Sequence, residues 1–101
     1  MLLFKKQFLQ AIRDREKTQT IRLWKYRRMR VGQRSYIPGA GAIRITAVDE
    51  VQLESLTDDD ARPDGFPTAD LLRAEIARLY SDSQRAELKT FRIRFELLDE
   101  S

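Results

Sequence analysis

The sequence predicts an α+β domain in which a small curled sheet packs against two principal helices. Three observations carry that expectation. Residues 90–98 alternate cleanly, with Phe91, Ile93, Phe95 and Leu97 facing one way and Thr90, Arg92, Arg94 and Glu96 the other, as a strand with one face in a core requires. Residues 42–51 and 18–24 share the period of two. Apolar residues at three- and four-residue spacing (Phe4, Phe8, Ala11, Ile12, and later Leu71, Leu72, Ile76, Leu79, Tyr80) describe two amphipathic helices.

Taken in order, the first helix is expected over 3–14, with Lys5, Lys6, Gln7, Gln10 and Arg13 off its apolar stripe. Strand 18–24 places Gln19, Ile21 and Leu23 on one side and Thr18, Thr20 and Arg22 on the other, β-branched residues favouring a half-buried pleat. Val31-Gly32-Gln33 turns the chain into a short strand near 34–37, stopped by Pro38-Gly39. In the next strand Ile43, Ile45 and Ala47 are in phase; Val48 and Val51 break it, which predicts a bulge or bend near Asp49. Thr57 before Asp58, Asp59 and Asp60 marks a helix start, because a hydroxyl caps free N–H groups and carboxylates suit the positive end of the dipole. Pro63 and Gly65 hold that helix to a single turn. Thr68 caps the next, which runs to about residue 80, and the polar stretch SDSQRAE leads to the last strand. A partly closed barrel of five or six strands hides the strand edges best in so short a chain.

At 101 residues the chain suits one domain, residues 1–101, since two cores would each bury too little surface. No apolar run approaches the ~20 residues a membrane span needs, and no secretory signal is evident at the start. The absence of cysteine fits a reducing cytoplasm. With neither His nor Cys, tetrahedral zinc sites and the Ser–His and Cys–His nucleophile pairs are excluded. Catalysis, if any, rests on Lys, Asp, Glu, Tyr, Ser or Thr, or on an oxygen-bound hard cation. No phosphate-cradling glycine motif occurs, and neither a cofactor nor a metal is called for, Asp58–Asp60 being accounted for as a helix start.

The net charge of +3 conceals an asymmetry. Residues 13–34 hold nine Lys/Arg against two acids, a local +7 that leaves −4 for the remainder. Such a block attracts polyanions, unless it is simply a solvated face. Within it Trp24 and Tyr26 alternate with Lys25, Arg27 and Arg28, a mixture suited to stacking on unpaired bases while cations meet phosphates. Trp24 serves equally as a core residue, and Tyr36 and Phe66 as packing residues or cleft walls. Thr20 and Arg22, two residues apart on one strand face, can present a hydroxyl and a guanidinium fork to an anion or a base edge.

KTQTIR (17–22), VGQ (31–33), AIRITAV (42–48), LTDDDARPDGF (56–66), LLRAEIARLY (71–80) and FRIRF (91–95), following an opening helix, together resemble the ASCH domain of the PUA-like superfamily over essentially the whole chain. That resemblance implies a small β-barrel with flanking helices and a cleft on one side, and RNA-related roles. One bacterial branch consists of small amidohydrolases that deacetylate acetylcytidine, using a lysine and a threonine of the K-T-x-T stretch with a later glutamate. Carried over, these positions are Lys17, Thr20 and Asp64, the last a shorter acid, whose carboxylate is expected to sit back by about 1.5 Å. The leading expectation is RNA or a modified nucleoside bound in a cleft lined by Lys17, Thr20, Arg22 and Asp64. The alternatives are an amidohydrolase acting through Lys17, Thr20 and Asp64, a ribonuclease, and a module that docks an acidic protein on the basic face.

Overall fold

The computed structural model describes residues 1–99; the final two positions of the expected domain lie outside the described residues. Helix α1 spans Lys6–Arg13 and is followed by β1 (Gln19–Trp24), β2 (Arg34–Ile37) and β3 (Gly41–Glu50). A 3-10 turn (Leu53–Ser55), the single-turn α2 (Asp58–Ala61) and a second 3-10 turn (Arg62–Asp64) lead to α3 (Ala69–Leu79), α4 (Asp82–Glu87) and β4 (Lys89–Leu97). The class is α+β, as the alternation and helical spacing indicate.

The four strands form one antiparallel sheet in the order β1-β4-β3-β2. The last strand is thus inserted between the first and third, and its alternation is clean because one face, with Phe91, Ile93 and Phe95, is buried in the core. Four strands rather than five or six are present among the described residues, and the sheet stays open, with β1 and β2 as its edges. Edge strands need another cover. For β1 it comes from the chain before α1 and from α3, whose residues meet beside it.

The larger core cluster gathers Ile12 of α1 with Ile37, Ile43, Ile45, Val48, Phe91, Ile93 and Phe95, plus Leu2 and Met29 from loops. Met29 is the apolar anchor within the basic stretch, whose other members from Lys25 to Arg28 are exposed. The second cluster unites Ile21 and Leu23 with Leu56, Ala61, Leu72 and Ile76. Strand β1 is therefore buried on both faces, not half-wet. Its Gln19 and Thr20 are as inaccessible as Ile21.

Local differences from the expected elements have identifiable causes. Helix α1 begins three residues later than the apolar stripe suggests, because the preceding chain is engaged elsewhere: the Leu2 N–H donates to the Tyr36 carbonyl at 3.0 Å. It ends with Arg15 in the left-handed region at φ 61°, the Glu16 N–H reaching back to the Ala11 carbonyl and the Arg15 N–H to that of Ile12. That is a Schellman closure with arginine where glycine is usual. The bulge of β3 lies between Ile45 and Ala47 rather than near Asp49, so Ala47 leaves the phase of Ile43 and Ile45, and Val48 re-enters the core. Helix α4 arises from the stretch read as polar linker, started by a capping box between Ser81 and Gln84. On α3, Leu72 and Ile76 are buried while Leu71 and Leu79 are about half exposed, narrowing the expected stripe.

Ile93 sits at the crossing of these arrangements, fully buried on the central strand and paired with both Thr20 and Val48. Ile93→Ala should lower the unfolding free energy by about 2–5 kcal/mol in urea titrations. A loss below about 1 kcal/mol would contradict its place in the core.

Candidate functional site

The chain leaves α1 through the Arg15 turn and reaches Lys17 two residues before β1 begins; the Lys17 N–H still caps the Ala11 carbonyl at 3.1 Å. On the other side, the capping box of α2 starts a tight right-handed path in which the Thr57 side chain and the Asp60 carboxylate bond each other's backbone N–H. The 3-10 turn that follows ends at Asp64, and Gly65 reverses the chain at φ 93°, a conformation costly for a residue with a Cβ. Thr18 N–H donates to the Pro63 carbonyl at 2.8 Å, joining this acidic turn to the start of β1.

The two segments bring Lys17 and Asp64 into contact. Lys17 Nζ donates to Asp64 Oδ1 at 2.7 Å and also to the Asp64 main-chain carbonyl, and both side chains are almost wholly withdrawn from solvent. Asp64 Oδ2 accepts from Gln19 Nε2 at 3.2 Å, and the same amide donates to the Asp60 carbonyl at 2.9 Å. Rings surround the ammonium: its distances to the Phe8, Phe4 and Phe66 centroids are 5.1, 5.6 and 5.8 Å. Beside it, Arg22 Nε donates to Thr20 Oγ1 at 3.1 Å, Nη2 donates to the Leu3 carbonyl at 2.5 Å, and the guanidinium lies over Phe4 at 4.8 Å.

Burial pushes the Lys17 amine below its ordinary value of 10.5; the Asp64 carboxylate, by its charge and its hydrogen bond, works against that shift, and the Arg22 charge adds to it. Burial likewise lowers Arg22.

These groups open onto a cavity of about 210 Å³ beside the free edge of β1. One wall is the chain from Leu3 to Phe8 and the other is the face of α3 carrying Leu72, Glu75, Ile76 and Leu79, with Tyr80 directly after it. Lys5 and Glu75 form an ion pair at 3.5 Å that ties the two walls together. The Glu75 carboxyl is held below the usual range, chiefly by its hydrogen bond from Arg78.

Of the residues singled out in the sequence, Lys17, Thr20, Arg22, Asp64 and Phe66 all line this cavity. Trp24 does not: it is half-buried against Phe91, ring centroids 5.7 Å apart, at the margin of the larger core. Lys25, Tyr26, Arg27 and Arg28 are exposed on the loop after β1, and Tyr36 is exposed on the opposite edge strand. Phe4, Phe8, Leu72 and Tyr80 read from the sequence as core, yet they serve as cavity walls. Gln19 and Glu75 carried no signal at all, since one sat on the supposed core face of a strand and the other on a helix exterior. Among the described residues no group of three or more potential metal-ligating side chains gathers, and no helix is long and apolar enough to cross a membrane.

No family model matches the sequence, and no curated protein is significantly similar to it. Solved structures do match. A hypothetical protein, PH0355, superposes with a TM-score of 0.80 at 14% identity, covering 95% of each chain. The ASCH domain from Lactobacillus crispatus JV V101 gives 0.72 at 16% identity, over 88% of this chain and 69% of that one. Protein EF3133 from Enterococcus faecalis V583, of family DUF984, gives 0.72 at 19% identity, over 92% and 71%. At these identities the likeness concerns architecture, and it establishes that this chain has an ASCH-like fold.

Proposed function

We propose that the cavity binds a nucleoside, free or as an unpaired residue of RNA, with Lys17, Thr20, Arg22 and Asp64 as its polar contacts. The observation that carries this reading is an ammonium–carboxylate pair, nearly inaccessible to water, set in the wall of a largely apolar cavity. Buried ion pairs are poor sources of stability, because desolvation consumes most of their attraction. A titratable pair with a perturbed amine in a cleft is a recurrent mark of ligand chemistry. Phe4, Phe8 and Phe66 offer aromatic surface to a base. The exposed Lys25, Arg27 and Arg28, with Tyr26 among them, lie beyond the cavity and suit the flanking phosphates of an RNA rather than the base itself.

A second reading, amide hydrolysis on an acylated nucleoside, is favoured by the lowered Lys17 and by the Arg22 hydrogen bond on Thr20. Neutral Lys17 would take the Thr20 hydroxyl proton as Oγ1 attacks the amide carbonyl. The C–N bond then breaks, the amine leaves with the proton from Lys17, and the acyl group stays on Thr20 as an ester. Water cleaves that ester, restoring the hydroxyl and releasing the acid. Asp64 holds the amine in place and does not react.

Titration calorimetry with cytidine, acetylcytidine and a short single-stranded RNA tests the first reading. Lys17→Ala should weaken all three at least tenfold, and unchanged affinity in a folded variant overturns it. Arg27→Ala with Arg28→Ala should weaken the RNA, flatten its salt dependence and leave single nucleosides unaffected. Binding of RNA that ignores salt would remove the basic loop from the proposal.

Hydrolysis predicts cytidine release from acetylcytidine, abolished in Lys17→Ala. The base is the unprotonated amine, so kcat/KM must rise with pH and level off above the lowered Lys17 value, before 10.5 is reached. A rate that falls over that interval excludes neutral Lys17 as the base.

A further inference from the structure

Among the described residues strand β1 has a hydrogen-bonded neighbour on one side only. In an antiparallel ladder alternate residues turn their N–H and C=O to opposite sides. The phase of β4 is fixed by two bonds: Val51 N–H donates to the Thr90 carbonyl at 2.9 Å, and Phe95 N–H donates to the Thr18 carbonyl at 3.0 Å. Thr90, Arg92 and Arg94 therefore face β3, while Phe91, Ile93 and Phe95 face β1. Opposite them, in the observed register, Thr20, Arg22 and Trp24 direct their backbone groups into the sheet. Gln19, Ile21 and Leu23 turn theirs to the free edge, and of these three only Ile21 lines the cavity.

Ile21 is 4% exposed, and among the described residues neither its N–H nor its C=O has a hydrogen-bond partner. Buried backbone groups left in that condition are rare and costly. The N–H and C=O of one extended residue point the same way and are spaced to exchange two bonds with a facing donor–acceptor pair. An added peptide strand would need several such residues along the edge. Here one residue opens on the cavity, between the Leu3–Phe8 chain and α3, so the complement is a compact ring. At about 210 Å³ the cavity is below the ~300 Å³ where pockets for drug-sized ligands begin.

We propose that the backbone of Ile21 reads the Watson–Crick edge of a single unpaired pyrimidine, its N–H donating to a carbonyl or ring-nitrogen acceptor and its C=O accepting from the adjacent ring or exocyclic N–H. Uracil offers a carbonyl beside N3–H, and cytosine offers N3 beside its amino group. A base already paired has that edge occupied and is rejected, so the selection for single strands is built into the strand edge. This inference rests on the nucleoside reading of the cavity and specifies which edge enters it.

The test compares ligands that differ only at that edge: uridine with 3-methyluridine, and cytidine with N4,N4-dimethylcytidine, using 5-methylated nucleosides as controls. Edge methylation should weaken binding about ten- to hundredfold, since each blocked bond leaves a buried backbone group unpaired, whereas 5-methylation should change it little. Ile21→Pro deletes an N–H that the ladder does not use, at an edge where proline can be accommodated; with an unchanged circular dichroism spectrum it should reproduce the loss for the unmodified nucleosides. Equal affinity for parent and edge-methylated ligands overturns the edge contact while leaving nucleoside binding intact. Failure of every nucleoside to bind overturns the underlying reading instead.

Discussion

The pairing of Lys17 with Asp64 is the constraint on which the rest of the site depends. Each residue ends a segment with little regular structure of its own: Lys17 follows the Arg15 turn out of α1, and Asp64 closes a three-residue 3-10 turn. Without the pair, one buried charge would remain unmatched in a ring of phenylalanines, a cost of several kcal/mol. With it, the acidic turn is pinned to β1 at three further points, through Thr18 N–H on Pro63 and the Gln19 amide on both Asp60 and Asp64. Gly65 belongs to the same device. A Cβ there would stand 3.7 Å from Lys17 Cδ, so space is available, and the demand for glycine comes from the positive φ instead.

How the shorter acid reaches the amine is also clear. One methylene fewer should draw the carboxylate back, yet Asp64 Oδ1 is 2.7 Å from Nζ, and the Asp64 main-chain carbonyl bonds the same nitrogen. The turn itself comes close enough to replace the missing reach. In consequence each carboxylate oxygen already has one partner, Oδ1 in Lys17 and Oδ2 in Gln19.

The sequence makes the central strand, the two long helices and the capped acidic turn readable, because alternation, helical spacing and cap chemistry are local signals. It misrepresents β1 for a physical reason. Alternation reports which face meets apolar neighbours, and the Thr20–Arg22 face is buried by polar groups that satisfy one another, so it looks wet on paper. Arg15 in a glycine-like conformation and the bulge after Ile45 are tertiary impositions with no local mark. The closed barrel fails for a similar reason: its purpose, covering edges, is met at β1 by a helix and the N-terminal chain. The convergence of Lys17 and Asp64, 47 residues apart, came from likeness to a family and not from periodicity. Phe4 and Phe8 show why cavities stay hidden, since the same side chain packs a core or lines a void according to what lies opposite.

What the site can still offer follows from what its groups have already committed. Lys17 carries three donors when charged, and two are spent on Asp64. The Thr20 oxygen accepts from Arg22, leaving its own hydrogen free to donate. Ile21 contributes one main-chain donor and one acceptor at the cavity edge. Of these groups the uncommitted ones are mainly donors, with the Ile21 carbonyl beside them, in a cavity lined mostly by apolar and aromatic residues together with the Lys5–Glu75 pair and Tyr80. A phosphate would find the donors but would meet the Ile21 carbonyl and lose its hydration to apolar walls, a heavy cost for a charge. A neutral planar heterocycle with alternating acceptors and N–H groups meets each term, which is why we propose the base for the cavity and the phosphates for the arginines outside.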